Sequence, residues 1–548
     1  MRRMEYLDRV LRHLMSGMAL PLPRTDGPLA TDPFALALRS LLQSWHGEFA
    51  AGAQTAAHAM TVADDPDARA LARAAAGFAL GMWPPAASDP TLREPRTGAD
   101  PVAAALADEE PISPAMYAPT TALLAESALA NARVTTAAAF LARMGDPPDT
   151  LFGGRHPFLT FIRALAARVA VYQGDITGAE RWADAAVGGA EGETESLFAL
   201  ACVALARGSA DRRAATRELV EQVSAAPVPV DAVTRGCFVL AAYGARALGL
   251  ETRGARLILL AGGDDDLGGL RIIDRAFGLE SLVAAAISMG DLDAAGSWLS
   301  RLEVLAGHRI AEPTVQRARC RMSITLGDAG GALASADRAV LLARADGRMI
   351  EAAEAEILRA RAHIAHRRGG AAERELSVLV TESEARGYFA IRRFAARELR
   401  QVGRRLPPIA ASGWQGLSPR ERDVALLIAQ GRSNASLARE LFLSAHTVRR
   451  HVSRVLAAFA VGTRAGVAAA LTDSAAGRPM SGTVATLTGR QRAVAELIRH
   501  GSTNRRIAEV LGIGTTTVEK HVSAIKDRWN ITSRAEIAVL ASWLADAG

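Results

Sequence analysis

Lysine is almost absent from this chain of 548 residues. Of its 64 basic residues only Lys520 and Lys526 are lysines, so arginine carries nearly all of the positive charge. A P-loop nucleotide hydrolase holds phosphate with a Gly-Lys-Ser/Thr sequence, and no lysine of this chain follows a glycine. The sequence therefore excludes a standard P-loop ATPase.

Cysteine, aromatic residues and long apolar runs are also scarce. The three cysteines, Cys202, Cys237 and Cys320, are too few and too scattered for a disulfide scaffold or a zinc module, which favours a reducing cytosol. The first residues carry charges where a signal peptide would be apolar, and no stretch of about 18 uncharged apolar residues occurs anywhere. We therefore expect a cytoplasmic protein with no membrane partner.

The residues that are abundant favour helices. Hydrophobic residues make up 49% of the chain and aromatic residues only 5%, with alanine and leucine supplying the apolar mass. This composition predicts an all-α fold. No nucleophile, base and orienting group recur in a recognisable pattern, and neither the Asp264–Asp266 run nor the pair His363 and His366 has the further ligands of a metal site. We expect no enzymatic activity, no cofactor and no metal.

Positive charge is concentrated at the carboxyl end. Residues 413–548 contain 18 basic and 10 acidic residues, a net charge of +8, whereas residues 1–412 carry 46 basic and 48 acidic residues, a net charge of −2. Such an asymmetry is typical of a polyanion-binding terminal domain, although a solvated basic surface has the same composition.

The same carboxyl-terminal region contains an internal repeat at an offset of 70 residues. Leu417-Ser418-Pro419-Arg420-Glu421-Arg422 aligns with Leu487-Thr488-Gly489-Arg490-Gln491-Arg492, and rarer residues such as Asn434 and His451 recur as Asn504 and His521. Alanine-rich helices that matched by chance would not keep histidine and asparagine in register. One small domain is therefore present twice.

Each copy is predicted to form four helices. Ser418 with Glu421, and Thr488 with Gln491, predict capped starts of the first helix, and the glycines at 431 and 501 predict its end. A second helix starts near 434 or 504, and after a tight turn a third starts near Ser444 or Gly514. Two helices joined in this way form a helix-turn-helix.

The third helix of each copy has one apolar side and one polar side. Val448, Val452, Val455 and Leu456 are predicted to pack inward. The opposite side carries His446, Arg449, Arg450, Ser453 and Ala457 in the first copy and Thr516, Glu519, Lys520, Ser523 and Lys526 in the second. Arginine can bond both acceptors of a guanine edge or clamp phosphates, and Thr447 and Thr517 can donate to a phosphate at the helix start.

These motifs resemble the LuxR-type helix-turn-helix domain of bacterial transcription regulators, over residues 417–474 and 487–548. The resemblance implies that the third helix enters the major groove of DNA and that a fourth helix, at 464–474 and 534–545, mediates dimerisation. It places the base and phosphate contacts on Arg449, Arg450 and Ser453, and on Glu519, Lys520 and Ser523. The complete predicted DNA-binding set is Asn434, His446, Thr447, Arg449, Arg450, Ser453, Arg454, Asn504, Thr516, Thr517, Glu519, Lys520, Ser523 and Lys526.

Two positions depart from the family pattern. The family usually has a basic residue where the second copy has Glu519, and a carboxylate repels phosphate but accepts from a cytosine amino group. The family also has a lysine-leucine pair where the first copy has Ala458-Phe459, which removes a phosphate contact. We expect the two copies to differ in affinity or in the base that they read, and we interpret His451 and His521 as packing or phosphate-contacting residues.

The segment between the copies is long enough for them to act as a pair. Residues 472–486 can span at most about 50 Å, and half-sites one helical turn apart are separated by about 34–36 Å. We therefore expect either a homodimer or an intrachain pair of copies on DNA.

The first four hundred residues contain a different repeat. Glycine turns recur at Gly174-Asp175, Gly208-Ser209, Gly249-Leu250, Gly290-Asp291, Gly327-Asp328 and Gly369-Gly370, at spacings of 34 to 42 residues. Helix pairs of this period predict a tetratricopeptide-like (TPR-like) α-solenoid. This region resembles the superhelical segment of the large ATP-binding LuxR-type regulators, without their ATPase.

Together these patterns predict a domain order. We expect helical repeats at 1–160, a TPR-like α-solenoid at 161–405, a linker at 406–416, the first helix-turn-helix domain at 417–474, a linker at 475–486 and the second domain at 487–548. The predicted function is a cytoplasmic, nucleoid-associated transcriptional regulator that binds double-stranded DNA. An unknown effector ligand or protein is expected at the solenoid, and RNA polymerase is a further candidate partner. The alternatives are an interaction scaffold whose helix-turn-helix modules dock proteins, and a degenerate nucleotide hydrolase.

Overall fold

The protein is helical throughout the residues that its computed structural model describes. These are 2–16, 31–46, 48–82, 111–146, 149–404, 417–430, 432–459, 487–499 and 504–529, with single residues at 406, 414, 461, 464, 467, 471 and 537. In these ranges the sole strand-like pairing is an isolated bridge between Leu151 and Gly154. The predicted all-α fold is confirmed. The chain divides into two compact units, Met1–Arg405 and Leu406–Gly548.

The first unit is built from consecutive helices that pack against their neighbours in sequence. Its helices are α1 Arg2–Ser16, α2 Pro33–Trp45, α3 Phe49–Val62, α4 Pro66–Met82, α5 Pro114–Ala130, α6 Val134–Met144, α7 Phe158–Gln173, α8 Ile176–Gly189, α9 Glu193–Ser209, α10 Arg213–Ser224, α11 Ala232–Leu248, α12 Glu251–Gly262, α13 Ile272–Met289, α14 Leu292–Glu303, α15 Glu312–Leu326, α16 Ala329–Ala345, α17 Met349–Ala365, α18 Gly369–Arg386 and α19 Phe389–Gln401. From α7 to α19 each odd-numbered helix also packs on the next odd-numbered one. The unit is therefore a stack of helix pairs with the odd-numbered helices in one layer.

Glycine-aspartate turns join several of these pairs, as the sequence predicts. Gly174, Gly290 and Gly327 end their helices in the left-handed conformation, with φ of +87°, +77° and +81°. The aspartate that follows each glycine accepts a hydrogen bond from the third backbone N–H of the next helix, for example Asp175 Oδ1 from Gly178 N at 2.9 Å. Glycine avoids the steric cost of this conformation, and aspartate satisfies an otherwise unpaired helical N–H.

Two of the six predicted glycine turns are wrong in detail. Gly208 lies inside α9, and Gly369 is the first residue of α18. At these two connections Asp211 and Arg367 adopt the left-handed conformation instead, with φ of +57° and +56°. Gly208 serves packing, because a Cβ there would lie 3.0 Å from the Cα of Gly244 on α11. The predicted spacing of the helix pairs is right at this connection, but Gly208 is explained by the close crossing of α9 and α11 and not by a turn.

The layer of odd-numbered helices curls back on itself. Helices α17 and α19 contact α7, α9 and α11, although more than a hundred residues separate them in sequence. The hydroxyl of Tyr388 donates to the carbonyl of Val171 at 2.9 Å, and Arg393 Nε donates to Asp211 Oδ1 at 2.9 Å. These bonds tie the last helix pair of the unit to its middle.

Charged side chains are buried along this inner layer. Arg317 is 1% exposed and donates to Glu280 at 2.6 Å and to Glu351 at 2.5 Å. Burial opposes ionisation of Glu280, but the arginines around it lower its pKa well below its usual range. Paired charges of this kind are costly to separate and define which helices meet.

The amino-terminal helix contributes to the core. Leu7, Leu11 and Leu14 are buried on one side of α1. Among the helices that the structure describes, none is long and apolar enough to cross a membrane.

The described residues of the second unit contain two sets of three helices. They are α20 Pro419–Ala429, α21 Asn434–Glu440 and α22 Ala445–Ala458 in the first set, and α23 Gly489–Arg499, α24 Asn504–Leu511 and α25 Thr515–Trp529 in the second. These helices correspond to the first three of the four helices predicted for each copy.

Candidate nucleic-acid interface

Both copies begin with a reciprocal capping box. The Ser418 hydroxyl accepts from the backbone N–H of Glu421 at 3.3 Å, and Glu421 Oε2 accepts from the backbone N–H of Ser418 at 2.9 Å. Thr488 and Gln491 repeat these two bonds at 3.3 and 3.1 Å. Each box satisfies two backbone N–H groups that the helix leaves unpaired, and it fixes where the first helix begins.

The third helix of each copy is held by its apolar side. Val448 and Val455 are fully buried against α20 and α21, and Val452 is 8% exposed. In the second copy Val518 and Ile525 are fully buried in the equivalent core. This packing confirms the predicted buried stripe, and it leaves the opposite side of α22 and α25 uncovered by the rest of its own domain.

In the first copy the uncovered side of α22 presents two arginines to solvent. His446, Arg449, Arg450 and Ser453 are all exposed, one helical turn or less apart. Within the described part of the chain neither Arg449 nor Arg450 forms an ion pair or a hydrogen bond, and both guanidinium groups are accessible. We call these four residues the first strip.

The second strip, on α25, has a different chemistry. Thr516, Glu519, Lys520 and Ser523 are exposed, and Lys526 is half-buried. One acid and one base replace the two adjacent arginines of the first strip. The two strips therefore present different charge patterns on equivalent helices.

Three predicted contact residues of the first copy also bind within the domain. Arg454 Nη1 lies 3.3 Å from the Glu421 carboxylate, which is 4% exposed. Asn434 Oδ1 accepts from Arg464 Nη1 at 2.5 Å, and the Thr447 hydroxyl lies 2.8 Å from the hydroxyl of Ser444. Ser444 also caps α22, since its hydroxyl accepts from the backbone N–H of Thr447 at 3.1 Å.

The contact of Arg454 with the capping box has a counterpart that alignment misses. The second copy has alanine at the position of Arg454, but Arg528, one turn later, donates to Gln491 Oε1 at 3.0 Å. In both copies, therefore, an arginine of the third helix binds the side chain of the third residue of the first helix, which is Glu421 or Gln491. These contacts orient α22 and α25 on their domains.

A second pair of orienting residues was also missed. Arg420 and Arg490 each donate to the carbonyl at the end of the second helix, of Leu441 and Leu511 respectively. The unpaired carbonyls of a helix end attract a cation, so each arginine stabilises the start of the turn. Their recurrence at the offset of 70 residues was the signal available in the sequence.

The turn between the second and third helices differs between the copies. Phe442 occupies it in the first copy with φ of +54°, and its side chain is 94% exposed. Gly512 occupies the same position in the second copy with φ of +64°. The turn needs the left-handed conformation, which costs a phenylalanine more than a glycine.

His451 belongs to the packed side of α22. Burial lowers the pKa of its imidazole, and the Glu421 carboxylate offsets this only partly. The ring is therefore neutral at neutral pH and adds no positive charge to the first strip.

Several predicted features fall outside the described residues. They include the helix-ending glycines at 431 and 501, the predicted linkers at 406–416, apart from Leu406 and Trp414, and at 475–486, and most of the predicted fourth helices. Within the fourth helices the structure describes positions 464, 467, 471 and 537, and Val467 and Ile537 are fully buried in the cores of their copies.

Comparison with known proteins identifies both repeats. The family described as bacterial regulatory proteins, luxR family, matches residues 415–470 and 485–541. Two similar proteins are "Putative HTH-type transcriptional regulator Mb0914c" of Mycobacterium bovis and the protein of the same description, Rv0890c, of Mycobacterium tuberculosis. Each is 43% identical over 54 residues, which cover 10% of this chain and 6% of the relative.

Solved structures were also compared with the chain. The Cut9-Hcn1 hetero-tetramer of the APC/C aligns with 70% of this chain and 75% of its own at 12% identity and a TM-score of 0.39. A Rap protein complexed with competence and sporulation factor aligns with 55% of this chain and 91% of its own at 12% identity and a TM-score of 0.35. The chain carries two tandem LuxR-type helix-turn-helix domains, preceded in sequence by an all-α unit of stacked helix pairs.

Proposed function

We propose that this protein is a transcription regulator that binds double-stranded DNA through the two strips on α22 and α25. The observation that carries the proposal is the first strip, where two adjacent arginines are exposed and have no internal partner in the described residues. The N-terminal half of a recognition helix reads base edges in the major groove, and that half of α22 holds both arginines.

The contacts within the domain separate residues that are free to contact DNA from a residue that positions α22. Arg449, Arg450 and Ser453 are placed to reach base edges or phosphates, whereas Arg454 orients the helix through Glu421. Asn434 has its carbonyl oxygen bound by Arg464, so a contact of Asn434 with DNA would use its amide N–H groups.

The two copies are proposed to read different sequences. A guanidinium group suits the two acceptors of guanine, whereas Glu519 can accept from the amino group of cytosine and repels phosphate. Lys520 and Lys526 supply the attraction of the second copy for the DNA backbone. An asymmetric site follows, with the first copy contributing more of the affinity.

Of the two predicted arrangements on DNA, we propose the intrachain pair. Each copy would occupy one half-site, because the segment between them can cover the separation of half-sites one turn apart. A monomer that protects only one half-site in a footprint would contradict this arrangement and favour a homodimer. The first unit, by this proposal, receives an effector and controls access of the two domains to DNA.

The DNA-binding proposal is tested with the full-length protein and duplexes that it selects from a randomised pool. In Arg449→Ala/Arg450→Ala we expect duplex affinity to fall at least tenfold, measured by fluorescence anisotropy. The slope of log affinity against log salt should fall by about 1 for each of the two arginines that contacts phosphate. Lys520→Ala should cause a smaller loss, because its copy contributes less.

A matched control removes the same charge elsewhere. Arg338 and Arg374 are exposed on α16 and α18 and have no ion pair in the described residues. Arg338→Ala/Arg374→Ala should leave duplex affinity within twofold. If the variant at Arg449 and Arg450 also keeps its affinity and salt slope, the DNA proposal fails and the protein-docking scaffold is favoured.

A further inference from the structure

The first unit contains a cavity of about 50 Å³ between its odd-numbered helices. Helices α5, α7, α9, α11 and α13 line it, with Trp45 of α2 and Phe78 of α4 at its edge. Phe161, Tyr172 and Phe198 form an aromatic wall on α7 and α9. A volume of 50 Å³ holds about four atoms the size of a water oxygen, so the cavity suits a small molecule.

A glycine on α11 keeps this cavity open. Gly236 lines the cavity, and a Cβ built on it would meet no atom within 4 Å. Glycine inside a helix costs about 1 kcal/mol relative to alanine. Gly244, two turns later on the same helix, is required by packing, because its Cβ would lie 2.8 Å from the carbonyl oxygen of Ala204. No such contact explains Gly236, whose missing side chain instead leaves space in the cavity.

Four charged side chains at the cavity balance one another, and all except the half-buried Arg271 are buried. Glu126 accepts from Arg168 at 2.9 Å and from Arg271 at 2.6 Å, and Arg271 Nε donates to Asp274 at 2.8 Å. Burial alone would raise the pKa of Glu126, but the two arginines outweigh it and lower the pKa. The group therefore holds two carboxylates and two guanidinium groups, with no net charge.

Arg235 adds a fifth charge that no carboxylate balances in the described structure. Its Nη1 donates to the carbonyl of Ala261 at 2.6 Å, and the backbone of Gly269 lies close against its guanidinium group. Neutral contacts thus fix the position of a cation beside an apolar wall. The lining of the cavity carries a net charge of +1.

We propose that this cavity binds a small organic monoanion, with its carboxylate on Arg235 and its short apolar stem against Phe161 and Phe198. A planar guanidinium group pairs with a carboxylate through two parallel hydrogen bonds, and burial strengthens the pair. The ligand is the effector of the regulator only if the proposed function holds, but its binding does not depend on DNA.

The test uses the full-length protein with acetate, whose four non-hydrogen atoms match the size of the cavity, and with propionate, which is one carbon longer. Each acid is compared with its amide, because acetamide and propionamide have nearly the same shape without the charge. Isothermal titration calorimetry should detect both acids at millimolar concentrations or below, and the amides should bind at least tenfold more weakly. If neither acid binds, or if an amide binds as well as its acid, the proposal is overturned.

Two variants and a control locate the site. Arg235→Gln should lose at least tenfold in affinity for both acids, and Gly236→Leu should abolish binding while its far-UV circular dichroism stays that of the native chain. Arg256→Gln, at an exposed position on the neighbouring α12, should bind like the native protein. Unchanged binding by Gly236→Leu overturns the proposal even if Arg235→Gln fails to fold.

The duplex assay separates this proposal from the proposed function. Arg235→Gln and Gly236→Leu should keep the duplex affinity of the native protein when no acid is present. Acetate should change that affinity only in the native chain and in Arg256→Gln. Acid binding by a chain that binds no duplex would leave the cavity assigned and refute the DNA function. Duplex binding by a chain that binds neither acid would support the DNA function and overturn the cavity proposal.

Discussion

Two glycines of the same helix should respond in opposite directions to the same substitution. Gly236 and Gly244 both lie inside α11, which spans Ala232–Leu248. Alanine at either position gains the helix propensity that glycine lacks, about 1 kcal/mol. The surroundings of the added methyl group then decide whether the free energy of unfolding rises or falls.

The distances set the expected magnitudes. At Gly236 the methyl group meets nothing within 4 Å, so Gly236→Ala should raise the free energy of unfolding by about 0.5–1 kcal/mol. At Gly244 it would lie 2.8 Å from the carbonyl oxygen and 3.1 Å from the carbonyl carbon of Ala204, both backbone atoms of α9. Overpacking costs about 1–3 kcal/mol, and a clash with backbone atoms, which cannot move aside, corresponds to the upper half of this range. After the gain in propensity of about 1 kcal/mol is subtracted, Gly244→Ala should lower the free energy of unfolding by about 1–2 kcal/mol.

Urea unfolding of the full-length chain, followed by far-UV circular dichroism, measures both changes. The midpoint should rise for Gly236→Ala and fall for Gly244→Ala. Gly208→Ala provides a further comparison, since its methyl group would lie 3.0 Å from the Cα of Gly244 across the same crossing, and it should also lower the midpoint. A rise for Gly244→Ala, or a fall for Gly236→Ala, would refute the distinction between packing glycines and the cavity glycine.

Two further predictions concern a strained turn and a buried carboxylate. Phe442→Gly should stabilise the first helix-turn-helix copy by about 1 kcal/mol in thermal unfolding. The reason is that Phe442 has a left-handed backbone conformation, which glycine adopts more easily, and its side chain is 94% exposed. A lower melting temperature would contradict this. Glu126→Gln should destabilise the first unit by about 3 kcal/mol at pH 7, because it leaves Arg168 and Arg271 buried with one carboxylate fewer. Because the pKa of Glu126 is lowered in the folded state, the ionised carboxylate stabilises the fold fully above an unfolded pKa of about 4.5, and this stabilisation is lost as the pH falls below that value. The urea midpoints of Glu126→Gln and of the native chain should therefore converge in acid. A difference between them that stays constant with pH would count against the ion pair.

Local signals in the sequence predicted the helix boundaries well. The capping boxes at Ser418 and Thr488 and the glycine-aspartate turn at Gly174 depend on backbone groups within a few residues of each other. Such contacts form wherever the chain enters a helix, so their residues can be recognised without knowledge of the fold. The exposed side of α22 followed from the same logic, because helical periodicity separates Arg449 from Val448.

Sequence reasoning failed where partners come from distant segments. Gly208 matched the turn pattern but lies in a helix crossing, and the ion pair of Arg454 with Glu421 was not anticipated from the sequence. The cavity was not predicted at all, since Glu126 and Arg271 are 145 residues apart in sequence. A residue type indicates which contacts are chemically available, but it does not indicate which segment will supply them.

By itself the sequence determined the helical composition, the duplicated carboxyl-terminal domain and the polar strip on each third helix, because propensity, capping and periodicity act over a few residues. Only the tertiary structure decided which arginines are bound inside the protein and which remain accessible to a ligand. That outcome depends on how the stacked helices curl, since the curl brings α5, α7 and α13 together around buried charges that must find partners once they leave water.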